Sequence, residues 1–236
     1  MCKLKRLNEC SLREVYIESN ALFSVEEDLL QKSLLIIGAG GIGTTVVDLL
    51  VPALARIQLG AKITLMDGDT VEASNLGHQN YSKADIGTFK VDALARKWSN
   101  AEGVQVHSVA ENLRNLEQLD DFDLVVVCVD RPEPRRLVHS LDVPWVDLRC
   151  SGDGWMVFTS DSDSNLVDQM TPDHEPKSCQ VEGALDAGNL EFGFSIAGTF
   201  GAQWVVQHLR GNTAPVQSMG SLTYGTLNFP TLEVKA

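Results

Sequence analysis

The chain has 236 residues, 44% of them hydrophobic and 22% charged, the make-up of a globular protein of one domain or two small ones. Its 19 basic against 32 acidic residues leave a net charge of −13, which repels phosphate backbones and argues against nucleic acid as a partner. Five scattered cysteines (Cys2, Cys10, Cys128, Cys150 and Cys179) with no CxxC pair argue against a disulfide framework and against a four-thiolate zinc site. The heavily charged first thirty residues do not read as a signal peptide, and no apolar run approaches the roughly 18 residues of a membrane span. A cytoplasmic protein without membrane segments is expected.

Residues 1–33 mix polar and apolar positions in a manner that predicts one or two short helices. An apolar run, Leu34-Leu35-Ile36-Ile37, then enters Gly38-Ala39-Gly40-Gly41-Ile42-Gly43, and Thr44 to Leu59 has helical spacing that Pro52 is expected to kink or split. Ile63 to Met66 reads as a second strand ended by Asp67-Gly68-Asp69, Lys90 to Trp98 as a helix, and Val104 to Val109 as a third strand. Leu124 to Val129 is the most apolar strand candidate and runs into Asp130; Val143 to Leu148 and Met156 to Phe158 follow. Residues 159–180 are poor in apolar side chains and predict a long loop. Gly193 to Leu209 reads as a buried helix, and the alternating tail from Leu222 to Val234 as edge strands. Strands alternating with helices predict a single α/β domain over 1–236. Its sheet is doubly wound and mostly parallel, Rossmann-like, with helices on both faces and antiparallel edge strands at the C-terminal end.

A strand that runs into GxGxxG and then a helix lets backbone approach a phosphate and presents it to a helix N-terminus. Asp67, at the end of the next strand, is placed to accept ribose hydroxyls. The dense polar stretch Asp67-Gly-Asp-Thr-Val-Glu-Ala-Ser-Asn-Leu-Gly-His-Gln79, followed by Ile86-Gly-Thr-Phe-Lys90, supplies more donors and charge than a dinucleotide needs. It suits a triphosphate.

With these residues in place, the sequence resembles the small ThiF/MoeB/HesA branch of the ubiquitin-activating-enzyme superfamily. The resemblance runs from about Leu34 to Leu209 and rests on GxGGxG, DxDxVxxSNLxxQ, IGxxK and an apolar strand ending in Cys-x-Asp. It implies ATP-dependent adenylylation of the C-terminal glycine of a small ubiquitin-like (β-grasp) or sulfur-carrier protein ending in Gly-Gly, by a homodimer. Gly38, Gly40, Gly41 and Gly43 would then wrap the phosphates, with Asp67 on the ribose and Asp69 beside it. Asn75 and Gln79 would be neutral donors, Lys90 would offset charge on the α-phosphate, and Asp130 would hold Mg²⁺. His78 stands where the family often has arginine, and Arg131 where it often has asparagine; Arg131 is a candidate for the missing charge.

Cys179 lies on the loop that in this family crosses the active face (159–180 here). It is either a nucleophile that links covalently to the activated partner or an inert thiol. Cys128 reads as core, Cys150 as structural. Relatives commonly hold that loop with zinc bound by two CxxC pairs; no zinc site is expected here, so the loop must be held otherwise. Arg6 or Arg13 would have to supply the arginine that reaches a partner subunit's nucleotide. Two other functions stay open: a non-catalytic scaffold of the same fold, or a dehydratase relative acting on tRNA through a basic patch of Arg131, Arg135, Arg136 and Arg149.

Overall fold

A computed structural model of the protein describes residues 31–227 apart from 176, 177, 182 and 185. The expected helices before residue 31, the arginines Arg6 and Arg13, and the tail beyond Leu227 lie outside the described residues. The strands and helices all belong to the compact unit that begins at Lys32.

Among the described residues, eight strands form one sheet: β1 (Lys32–Ile37), β2 (Ala61–Met66), β3 (Val104–Val109), β4 (Leu124–Val127), β5 (Trp145–Ser151), β6 (Gly154–Thr159), β7 (Gln217–Ser221) and β8 (Gly225–Leu227). Their order across the sheet is β3-β2-β1-β4-β5-β6-β7-β8. The first five pair in parallel, and β6, β7 and β8 add antiparallel neighbours beyond β5. The mostly parallel, doubly wound sheet expected from the sequence is present. So are the antiparallel edge strands, of which β7 and β8 are described.

The strands are apolar on both sides because both sides are covered. Leu34, Ile36, Ile63, Leu65 and Val126 face helices α1 (Gly41–Arg56), α2 (Lys90–Lys97) and α5 (Gly193–Leu209). Leu35, Ile37, Met66, Val125 and Val127 face α3 (Pro132–His139) and α4 (Ser164–Gln169). At roughly 25 cal/mol for each Å² of apolar surface removed from water, these two layers are the main source of stability.

Two local expectations need correction. Pro52 does not split α1, which runs unbroken from Gly41 to Arg56. The ring is exposed, so the carbonyl that its missing N–H frees lies on the face open to water. The segment 159–180 is not all loop. Asp163 accepts the Leu166 N–H at 3.0 Å and starts α4. Helix α3, opened by Pro132 at its first turn, is a further element that hydrophobic spacing does not reveal.

Candidate functional site

Strands β1, β2 and β4 all end on one edge of the sheet. Chain order reverses between β1 and β4, and α/β sheets of this kind open a crevice there. A cavity of about 1050 Å³ occupies it.

The glycine loop forms one wall. The Gly38 N–H donates to Met66 O at 2.9 Å, and the residue has φ +98°, where a side chain would be strained and would strike the Cys128 carbonyl. A Cβ on Gly40 would meet nothing within 4 Å, so this residue keeps backbone open to the cavity. Gly38, Gly40 and Gly41 line it. Gly43 does not: a side chain there would run into the Gly38 carbonyl, so its role is close packing of α1 under the loop. Cys128 braces the same turn, its Sγ–H donating to the carbonyls of Ile37 (3.1 Å) and Gly38 (3.2 Å). It is buried, as its place in an apolar run implied.

Asp67 pins the loop from β2. One carboxylate oxygen accepts the Ala39 N–H at 2.7 Å, the other the Asp69 N–H at 2.8 Å. Burial raises this carboxyl above its ordinary value, against the pull of those two N–H groups and of Lys90. Tyr81 closes the back of the loop by donating to Ala39 O at 2.7 Å.

Lys90 opens α2, but it is not a solvated surface lysine. Its side chain is 9% exposed and its ammonium lies 3.0 Å from Asp69, whose own side chain is 65% exposed. A cation so placed is partnered on one side only and can turn toward an anion in the cavity it lines. His78 and Gln79 line the same wall. His78 Nδ1 and Gln79 Oε1 are buried without a partner among the described residues, which is the condition of groups meant for a ligand or water. Burial, and then Lys90, depress the His78 imidazole, so it is neutral where the family often carries an arginine. Asn75 lies outside the cavity lining. Its side chain accepts the Glu72 N–H at 2.9 Å and shapes the turn ahead of His78.

Asp130, exposed beyond β4, and Arg131, which precedes α3, line the same cavity as the glycine loop. Among the described residues no three His, Cys, Asp or Glu side chains gather to hold a metal unaided. A hard divalent cation at Asp130 therefore fits only if phosphate oxygens complete its shell.

One cluster was not read from the sequence. Asp147, fully buried on β5, pairs with both Arg135 and Arg149 and accepts from His139 Nε2 at 2.9 Å. Arg149 also donates to the Met170 carbonyl and to Thr171 Oγ1 at 2.7 Å, and Arg136 reaches Thr171 O (2.8 Å) and Asp173 (2.7 Å). These arginines, with a double clasp of Gln180 to the backbone of Glu191 (2.7 and 2.9 Å), hold the crossover segment to the sheet. Of the four arginines read as a basic patch, Arg131 and Arg136 stay exposed, whereas Arg135 is buried and Arg149 is 15% exposed, both turned in to Asp147. Burial lowers their guanidinium values to about 9 and about 10. The readable signal was Asp147 and Arg149 two apart on one strand, hence on one face of a sheet covered on both sides.

Cys179 lines the cavity together with Cys150. The structure thus brings together Gly38, Gly40, Gly41, Asp67, Asp69, His78, Gln79, Lys90, Asp130, Arg131 and Cys179, and leaves Gly43 and Asn75 behind the wall.

The sequence profile of the ThiF family matches residues 17–236. Adenylyltransferase and sulfurtransferase UBA4 of Lodderomyces elongisporus is 28% identical over 147 residues, 60% of this chain and 31% of that protein. Ubiquitin-like modifier-activating enzyme 5 of Aedes aegypti is 28% identical over 145 residues, 54% of this chain and 35% of that one. The chain spans about a third of the length of these curated relatives. The crystal structure of E. coli MccB with ATP superposes with a TM-score of 0.62 at 18% identity, covering 88% of this chain and 67% of that one, a likeness of fold. With a profile matched over nearly its whole length and the sheet order to go with it, the chain belongs to the ThiF family.

Proposed function

We propose that this chain is an ATP-dependent adenylyltransferase acting on the C-terminal carboxylate of a small ubiquitin-like or sulfur-carrier protein. The observation that carries this reading is the convergence, in one cavity, of an open glycine loop, an acid at the end of β2, a buried lysine and an exposed acid beyond β4. Relatives named as adenylyltransferases and modifier-activating enzymes, and a fold shared with an ATP-bound structure, support it.

In the proposed reaction a carboxylate oxygen of the terminal glycine forms a bond to the α-phosphorus, the bond from that phosphorus to the bridging oxygen breaks, and pyrophosphate leaves. No general base is required, because the nucleophile is already ionised. Rate comes from positioning and from charge neutralisation. Asp67 would fix the ribose, the loop backbone and the unpartnered His78 and Gln79 would hold the triphosphate, and Lys90 would offset charge gathering at the α-phosphate. Arg131 would add a second cation. Bound Mg²⁺, with Asp130 as its protein ligand, would neutralise the leaving pyrophosphate.

We place the protein in the cytoplasm as a homodimer of single adenylation domains, with Cys179 as the candidate for a later covalent transfer. Among the described residues no helix is long and apolar enough to cross a membrane. One observation favours a second reading, a family member that keeps the fold without turnover. The neutral His78 leaves the triphosphate wall short of one positive charge.

Exchange of labelled pyrophosphate into ATP, with Mg²⁺ and a β-grasp protein ending in Gly-Gly, separates the two. Exchange that depends on the partner and falls at least about 100-fold in Asp130→Ala is expected. Absence of exchange with every such partner favours the non-catalytic reading.

A further inference from the structure

Three cysteines distant in sequence line the cavity, and two of them, Cys150 and Cys179, lie on segments joined backbone to backbone. Backbone bonds on either side hold them in that position. The Gly152 N–H, two residues after Cys150, donates to Cys179 O at 2.9 Å, and the Gly193 N–H donates to Gly152 O at 3.0 Å. Gln180, directly after Cys179, is locked by its clasp on Glu191. Both thiols are half-buried at the wall of the cavity.

We propose that Cys150 and Cys179 are a redox-active dithiol that closes to a disulfide across the mouth of the crossover segment, with hydrogen peroxide as the class of oxidant. This goes beyond the proposed adenylylation and needs neither ATP nor a partner protein.

The chemistry balances in two steps. The Cys179 thiolate attacks peroxide, forming an S–O bond as the O–O bond breaks, and the departing hydroxide takes a proton to become water. The Cys150 sulfur then attacks the Cys179 sulfur, the S–O bond breaks, and a second water leaves with the Cys150 proton. Two thiols and one peroxide become one disulfide and two waters.

The surroundings assign the roles. The neighbouring Cys150 thiol, helped by Arg135, holds the Cys179 thiol below its ordinary value, while Cys179 and burial push Cys150 up. Cys179 is thus the thiol that reacts first and Cys150 the one that resolves. Cys128 stays out of the exchange. It is buried, donates to two carbonyls of the glycine turn and has its thiol raised by burial. Closing the bond fastens the crossover segment to β5 and removes the Cys179 sulfur from the cavity as a nucleophile.

The test uses the full folded chain, treated with one equivalent of peroxide, alkylated, digested and mapped by tandem mass spectrometry. A linked peptide pair containing Cys150 and Cys179, reopened by dithiothreitol, is the expected product. It should form at least about tenfold faster in the folded chain than in urea, as a reaction does at fixed geometry. Cys128→Ser should leave its yield unchanged, and in Cys150→Ser the Cys179 thiol should advance to sulfinic acid. Equal rates in urea, linkage of either thiol to Cys128, or sulfinic acid at Cys179 in the unmutated chain without linkage to Cys150 would overturn the assignment.

Discussion

Lys90 is the residue whose setting changes its meaning most. At the start of a helix a lysine opposes the dipole and normally stays in water, yet this one is buried against Asp69 at the cavity wall. Because Asp69 is itself largely exposed, removing the lysine strands no buried charge, and stability should change little. Lys90→Met is expected to weaken ATP binding about tenfold, roughly 1.4 kcal/mol, with an unchanged urea midpoint; calorimetric titration and urea unfolding check the two halves. His139 is a neutral histidine between charges. Burial first, then Arg149, Arg135 and Arg136, press it down to about 3, while Asp147 accepts its N–H and the Trp145 ring lies tilted beside it, centroids 4.7 Å apart. The unfolded chain takes up this proton near 6.5, the folded chain only near 3. The stability this residue contributes is therefore whole above about pH 6.5 and drains away as pH falls toward 3. His139→Asn should flatten the slope of unfolding free energy across that window, measured as the difference between variant and parent in urea at a series of pH values.

Elements were legible where burial wrote them into the residues. The runs at Leu34, Ile63 and Leu124 are apolar because the strands are covered on both faces, and the structure extends or trims each by a residue or two. Helices α3 and α4 escaped because they are short and mostly polar, so no period builds up; their only marks are end signals, Pro132 and Asp163. The crossing of α1 and α5 shows what small residues were for. A side chain on Gly198 would meet the Thr45 side chain at 2.6 Å and the Ile42 carbonyl at 3.0 Å. Gly201 likewise sits against Leu148. Gly198→Ala is expected to cost about 1–3 kcal/mol by pushing the two helices apart, read as a lowered thermal midpoint.

At the scale of the whole molecule, the glycine loop, Asp67, Lys90 and Asp130 were visible as a linear pattern because each sits at the end of a strand or the start of a helix. The pattern could not show that Gly43 and Asn75 support the wall from behind, since that depends on which way a turn faces. It also could not show the Asp147 cluster, whose members come together only when β5 and α3 pack. Against a net charge of −13, the cavity is lined by Lys90 and Arg131 as well as by Asp67, Asp69 and Asp130. A basic face remains the simplest expectation for a protein partner.

The place of β1 between β2 and β4 has a consequence for how the chain comes into being. Its first neighbour follows after a single helix, but its second is contributed by residues some ninety positions downstream, where the Asp123 carboxylate takes the Ser33 N–H at 2.9 Å and the Lys32 ammonium at 2.8 Å. Closing a loop of that length adds little to the free-energy cost but much to the time, because loop entropy rises only with the logarithm of length while search slows. On the ribosome, Leu34 to Ile37 wait with one ladder edge bare, the kind of surface chaperones recognise. The crevice between β1 and β4 does not exist until that wait ends. A nucleotide drawn to it would bind only chains in which β4 has joined β1, and its binding would be a clock for that step of folding.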